Sequence, residues 1–135
     1  MNKLKIVFMG TTDFAVGCLD ALMNSSHQIK AVITAPDREA GRGKKITHSE
    51  VKKYAINNNF KLLQPINLKD ENFVNELKSI NADIFVVVAF RMLPELVWRI
   101  PLKGTINLHA SLLPQLRGAA PIHWAIINGL KETGV

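Results

Sequence analysis

The stretch Leu4-Lys5-Ile6-Val7-Phe8-Met9-Gly10-Thr11-Thr12-Asp13-Phe14-Ala15-Val16-Gly17-Cys18-Leu19-Asp20-Ala21-Leu22 changes its hydrophobic period once, and that change sets the fold. Leu4 to Met9 is a continuous aliphatic run of strand type, punctuated by Gly10-Thr11-Thr12-Asp13. Ala15, Cys18, Leu19 and Leu22 then recur at i, i+3, i+4 and i+7, which puts one apolar stripe on a helix. Thr12 and Asp13 are candidate caps for it.

The same alternation continues outward. Ile29 to Thr34 reads as a second strand, and Thr47-His48-Ser49-Glu50 fits a capping box opening a helix whose inner face is Val51, Tyr54 and Ala55. Lys61-Leu62-Leu63 is a weak third strand; Phe73, Val74, Leu77 and Ile80 line a further helix. Ile84 to Ala89 is a strand apolar on both faces, Thr105 to Leu108 a shorter one, and Pro121 opens a last helix running to about Asn128. Strands that are apolar throughout, alternating with helices, imply a parallel sheet covered on both sides. With right-handed crossovers this is an α/β fold, a Rossmann-like open parallel sheet with helices on both faces. The connection from Ala35 to Ile46 is polar and long for such a fold, the kind of loop that tends to carry function or lack order. The last helix is apolar nearly all round through Ile122, Trp124, Ala125, Ile126 and Ile127, so it wants protein on several sides. Glu132-Thr133-Gly134-Val135 reads as the run-in to another strand, so the sheet is expected to be truncated before its last strands.

Composition agrees with this class. The chain has 135 residues, one domain's worth, with 47% hydrophobic and 21% charged residues, which excludes disordered, collagenous and disulfide-built classes. Its one cysteine, Cys18, fits a core position and a reducing, cytoplasmic setting. The longest apolar run, Ile84 to Phe90, is too short to span a bilayer, and the N-terminus lacks a signal peptide's apolar core. Seventeen Lys and Arg against eleven Asp and Glu give a net charge of +6, compatible with a nucleic acid or with anionic small molecules. Gly10 does not begin a G-x-G-x-x-G fingerprint, His27 and His48 read as surface or capping residues, and no metal-ligand spacing is found.

The strongest chemical constellation is Ile106-Asn107-Leu108-His109-Ala110-Ser111-Leu112-Leu113-Pro114. Asn107 and His109 are two apart at a strand end, so their side chains share one side, roughly 6.5 Å apart along it. Carboxyl ends of strands border the ligand crevice of an open parallel sheet. There a carboxamide can hold a developing oxyanion while an imidazole moves a proton, a workable kit for acyl chemistry. On its own, Asn-x-His more often marks a turn asparagine and a histidine satisfied by backbone, since His is often partly buried for structural reasons. The Arg38, Arg42, Lys44 and Lys45 segment, with two glycines and no apolar anchor, reads either as a solvated loop or as a mobile segment that phosphates order.

Three blocks occur in order: Phe8-Met9-Gly10-Thr11-Thr12-Asp13-Phe14-Ala15, Pro36-Asp37-Arg38-Glu39-Ala40-Gly41-Arg42-Gly43-Lys44-Lys45, and Asn107-x-His109-x-Ser111-Leu112-Leu113-Pro114 followed by Arg117-Gly118-Ala119-Ala120-Pro121. Together they resemble the methionyl-tRNA formyltransferases, within the wider folate-dependent formyltransferase family, over essentially the whole chain. The resemblance implies transfer of a formyl group from 10-formyltetrahydrofolate to the amino group of methionine on initiator tRNA, with no metal. It implies that Asn107 hydrogen-bonds the formyl oxygen as it becomes an oxyanion, and that His109 shares that role or relays the amine's proton. Ser111, Leu112, Leu113 and Pro114 would form part of the folate site, and Phe85, Val87, Val88, Ala89 and Phe90 would wall the pterin pocket, an apolar slot of the kind a flat heterocycle needs. Arg38, Arg42, Lys44 and Lys45 would embrace the acceptor end of the tRNA, Arg42 foremost, because a guanidinium grips phosphate or a base edge bidentately.

The same resemblance makes residues 1–135 an incomplete N-terminal catalytic domain. The family's catalytic aspartate, which orients the imidazole, would lie beyond Val135, as would the C-terminal domain that holds the tRNA body. Weak or no turnover is therefore expected of residues 1–135 alone, and the full-length protein is expected to be a monomer. Three departures stand out: Thr12 where proline is usual, His123 where glutamine is common, and Arg91 where a small residue is frequent. Two other readings stay open. One is a sibling formyltransferase acting on a nucleotide or sugar amine, against which the long basic arm argues. The other is a module that captures folate or tRNA without catalysis.

Overall fold

A computed structural model describes residues 2–135. In chain order the elements are β1 (Lys5–Gly10), α1 (Asp13–Met23), β2 (Gln28–Ile33), β3 (Arg38–Ala40), β4 (Lys45–Thr47), α2 (Glu50–Asn57), β5 (Leu62–Leu63), α3 (Glu71–Ile80), β6 (Ile84–Val88), α4 (Glu95–Trp98), β7 (Thr105–Leu108) and α5 (Pro121–Ile127). Five strands form a parallel sheet in the order β5-β2-β1-β6-β7. Strand order reverses at β1, whose two neighbours are β2 and β6, so the crevice at a topological switch point opens over the carboxyl ends of β1 and β6.

Each strand splits its apolar residues between two cores, as a period of two requires. Val7, Met9, Ala31, Ile33, Phe85 and Val87 point to one face, where Phe73, Val74 and Leu77 of α3 and Val97 of α4 cover them. Phe8, Val32 and Val88 point to the other, against Ala15 and Leu19 of α1 and Val51 and Ala55 of α2. Cys18 packs at the edge of this second core, and burial pushes its thiol pKa up. Because Phe85 and Leu77 are completely buried, truncating either to alanine costs about 3–5 kcal/mol. Gly10 closes the first βα turn, and only glycine fits. A Cβ there would stand 2.7 Å from Ala15 Cβ and 2.8 Å from the Val88 carbonyl.

Three local expectations are corrected. The Ala35–Ile46 segment is not a bare loop. β3 and β4 pair antiparallel within it, with Arg38 opposite Thr47 and Ala40 opposite Lys45, around a turn in which Gly41, Gly43 and Lys44 take positive φ. The capping box at Thr47–Glu50 does not form, because the N-cap of α2 is Ser49, whose hydroxyl accepts from the Lys52 N–H; Glu50 pairs with Lys53 instead. Thr12 is the N-cap residue of α1, but its side chain makes no capping bond. The last helix, α5, buries Ala125 alone and leaves Ile122, Trp124, Ile126 and Ile127 exposed, so its all-round apolar character is met on one side only.

Candidate active site and basic hairpin

A cavity of about 510 Å³ lies at the carboxyl ends of β6 and β7, lined by Val87, Phe90, Arg91, Met92, Leu93, Trp98, Thr105, Asn107, His109, Gly118 and Ala119. β7 brings Asn107 opposite Val87 in register. It ends at Leu108, so His109 leaves the strand on the side Asn107 faces, and both residues border the cavity.

The imidazole of His109 is held at both nitrogens. Nδ1 lies 2.8 Å from the Ser111 hydroxyl and Nε2 lies 3.0 Å from the Gly118 carbonyl oxygen. The Ser111 hydroxyl, almost fully buried, donates to the Gln115 carbonyl at 2.7 Å. Proton counting gives this chain a direction. A hydroxyl has one proton, so while Ser111 donates to Gln115 it can only accept from Nδ1–H. The Gly118 carbonyl oxygen can only accept as well, so its 3.0 Å contact is a hydrogen bond only when Nε2 carries a proton. With Ser111 donating to Gln115, both contacts of the ring are satisfied together only in the imidazolium. In the neutral ring with Nδ1–H, the Nε2 lone pair faces the Gly118 oxygen. Once Nε2 is protonated, the Gly118 carbonyl is already placed to accept it. Gly118 has φ +106°, a left-handed backbone that a Cβ would strain although the space around it is open. Among the described residues, no carboxylate is hydrogen-bonded to His109, and no group of three His, Cys, Asp or Glu is placed to hold a metal ion.

The other expected cavity residues divide. Val87 and Phe90 line the cavity, whereas Phe85 and Val88 are completely buried and Ala89 leaves the strand in a left-handed conformation, so none of these three lines it. Ser111 sits behind His109, and Leu112, Leu113 and Pro114 stand exposed outside the cavity. The four basic residues lie on the β3–β4 hairpin, all of them exposed.

The formyl transferase family model matches residues 4–135. The chain belongs to the formyl transferase family. It is 62% identical to the methionyl-tRNA formyltransferase of Flavobacterium johnsoniae over 135 residues, which is all of this chain and 43% of that protein. The methionyl-tRNA formyltransferase of Bacteroides thetaiotaomicron is 60% identical over 134 residues, 99% of this chain and 42% of that protein. The chain thus spans less than half the length of the curated relatives it matches. Among solved structures, it superposes on glycinamide ribonucleotide transformylase 1 from Geobacillus kaustophilus with a TM-score of 0.74 at 17% identity, covering 98% of this chain and 71% of that one. A formyltetrahydrofolate deformylase from Pseudomonas syringae pv. tomato gives 0.69 at 23% identity, covering 98% and 44%. At these identities the likeness establishes a shared Rossmann-like fold.

Arg91 is a cavity residue that sequence reasoning set aside. Its Nη1 donates to the Ile66 carbonyl at 3.0 Å and its Nη2 to the Pro65 carbonyl at 2.7 Å, while the guanidinium carbon stands 5.2 Å from the Phe90 ring centre. Burial, and then the nearby charge of Arg38, lower its pKa. Arg91 and the root of the hairpin meet on one segment: the Pro65 and Ile66 carbonyls accept from Arg91, and Gln64 beside them donates to Asp37, next to Arg38, at 3.0 Å. The signal that could have found Arg91 was its bulk and charge directly after the apolar run Ile84 to Phe90. Trp98 and Thr105, also missed, lie on opposite sides of a sharp connection in which the Thr105 hydroxyl donates to the Trp98 carbonyl at 2.8 Å. Among the described residues, no helix is long and apolar enough to cross a membrane.

Proposed function

We propose that this chain supplies the formyl-transfer site of a methionyl-tRNA formyltransferase, the donor being 10-formyltetrahydrofolate and the acceptor the amino group of methionine on initiator tRNA. The observation that carries this reading is the placement of Asn107 and His109 on one cavity whose remaining wall is largely apolar. The cavity chemistry fits the donor: Val87, Phe90, Met92, Leu93 and Trp98 offer apolar contact for a flat heterocycle, and the polar groups are gathered at the β7 end. The folate supplies an activated formyl group.

The chain's own residues do the rest. The Asn107 carboxamide donates a hydrogen bond to the oxygen on which negative charge builds, and being fixed in the sheet it does so without reorganising. His109 takes the proton lost by the attacking amine, and the ring protonated at both nitrogens is the form that donates to Ser111 and to the Gly118 carbonyl together. The hairpin carrying Arg38, Arg42, Lys44 and Lys45 embraces the acceptor end of the tRNA, its cations neutralising phosphates. Residues 1–135 act as an N-terminal catalytic portion, and in the cell the protein works in the cytoplasm. The relatives at 53–62% identity are methionyl-tRNA formyltransferases, which supports the tRNA acceptor over the glycinamide ribonucleotide of the structurally similar transformylases at 14–21%.

The test is transfer of formyl from 10-formyltetrahydrofolate to methionyl initiator tRNA, by this chain alone and by a full-length protein built on it. Transfer by the longer protein supports the reading. Folate binding without transfer to tRNA, but with transfer to a small nucleotide or sugar amine, would replace it with a sibling activity.

A further inference from the structure

The root of the basic hairpin is built around one carboxylate. Asp37 stands immediately before β3 and, extending the register of Arg38 opposite Thr47, faces His48 immediately after β4. Its Oδ1 accepts from His48 Nδ1 at 2.9 Å and from Gln64 Nε2 at 3.0 Å, and its Oδ2 accepts from Lys52 Nζ at 2.6 Å. These donors come from three places: the returning end of the hairpin, the first turn of α2, and the segment after β5. Gln64 also donates to the Ala35 carbonyl at 3.1 Å, so it grips the outgoing end twice. One step deeper, the Thr34 and Ser49 hydroxyls meet at 2.6 Å, with Thr34 completely buried.

This is more than a surface ion pair. The Lys52 side chain is 13% exposed, more sequestered than Asp37 or His48, and three donors on one carboxylate fix the orientation of Asp37. The donors hold the Asp37 carboxyl well below the usual carboxylate range, Lys52 contributing most, then Gln64 and His48. The segment it closes carries four cations and one carboxylate, Glu39, in ten residues. A carboxylate at the base of a cationic arm weakens the arm's attraction for phosphates if it acts only as a charge.

We propose that Asp37 is a positioning residue for the basic arm, its carboxylate tying both roots to α2 and to the segment after β5 so that the arm's cations stand beside the cavity. This rests on the reading of the arm as the tRNA-binding segment. Gln64 holds Asp37 while the next two residues, Pro65 and Ile66, accept from Arg91 of the cavity lining, so the segment that ties the root of the arm also borders the site. Holding the arm in one direction lowers the ordering cost when an acceptor stem is captured.

The two roles of Asp37 predict opposite signs. In a full-length protein built on this chain, Asp37→Asn removes a negative charge while keeping the side-chain shape. Positioning predicts a KM for methionyl initiator tRNA raised by about tenfold, with kcat, the KM for 10-formyltetrahydrofolate and the melting temperature little changed. Lys52→Met should raise the tRNA KM in the same direction, and the double variant should be no worse than Asp37→Asn alone, because both break one tie. Asp37→Glu should restore part of the loss. Tighter or unchanged tRNA binding in Asp37→Asn overturns the positioning role, as does an equal loss toward folate. Direct binding of tRNA, followed by fluorescence anisotropy, separates this failure from that of the underlying reading. A wild-type protein that binds no tRNA overturns both, whereas one that binds and formylates tRNA as well with Asp37→Asn as without overturns only the role of Asp37.

Discussion

Asn107 and His109 hang from a strand whose register is fixed by its place in a five-stranded parallel sheet, whereas Arg42, Lys44 and Lys45 ride on two three-residue strands that pair only with each other. The first pair is carried by the edge strand of that sheet, paired with β6, whose residues enter both buried cores; the second group is exposed throughout and is tied down at its base by Asp37, His48, Lys52 and Gln64. The difference matches what the proposed function asks of each region. Moving a proton and holding an oxyanion demand placement to a fraction of an ångström, because a small misplacement costs orders of magnitude in rate. Contacts with phosphates tolerate looser geometry and gain from reach, since they position a nucleic acid through charge. Changes at the cavity should therefore act on kcat, and changes on the hairpin on the capture of tRNA.

The largest effect is expected at His109. His109→Ala should lower kcat by about 10²–10⁴-fold with the fold intact, as measured by steady-state formyl transfer and by thermal unfolding. A variant turning over at the wild-type rate would remove His109 from the chemistry. Asn107→Ala should follow with a loss of about 10²–10³-fold in kcat and little change in the KM for folate, the mark of a donor that acts as charge develops. A change in KM alone would make Asn107 a binding residue.

On the hairpin, Arg42→Ala should lower kcat/KM for tRNA by roughly 10–100-fold, the range of one good guanidinium contact, while folate binding measured by fluorescence quenching stays put. Equal loss toward both substrates would erase the division between the two regions. The smallest change is Ser111→Ala. Losing the hydroxyl that holds Nδ1 of His109 should cost about tenfold in kcat, the worth of one hydrogen bond, with tRNA affinity unaffected. No effect on kcat would mean that Gly118 alone orients the ring.

The two regions also differed in how far the amino-acid sequence revealed them. β1 and β6 were legible because both faces are buried, which forces continuous apolar runs, and α1 and α3 because their stripes are long enough to show a period. α4 has four residues, too few for a period to form, and it passed unread. The hairpin hid for a different reason: β3 and β4 are exposed on both sides, so neither shows alternation, and the pairing depends on positive φ at Gly41, Gly43 and Lys44.

At the candidate site, Asn107 and His109 were legible through their spacing at a strand end. The wall of the cavity was legible only in part, because alternation sends Val88 to the opposite core and sinks Phe85 below the opening, leaving Val87 as the residue of β6 that reaches it. The tie between Ser111 and His109 could not be read in advance. A serine in a motif announces a hydroxyl, but which carbonyl takes its proton depends on the turn that brings Gln115 back over it.

The most direct test of the division between cavity and hairpin is a steady-state comparison of His109→Ala and Arg42→Ala in a full-length protein built on this chain. It would use 10-formyltetrahydrofolate and methionyl initiator tRNA, each varied in turn. The account predicts that His109→Ala loses kcat and retains both substrate affinities, while Arg42→Ala retains affinity for folate and loses affinity for tRNA. Loss of tRNA affinity in His109→Ala, or loss of folate affinity in Arg42→Ala, would contradict it.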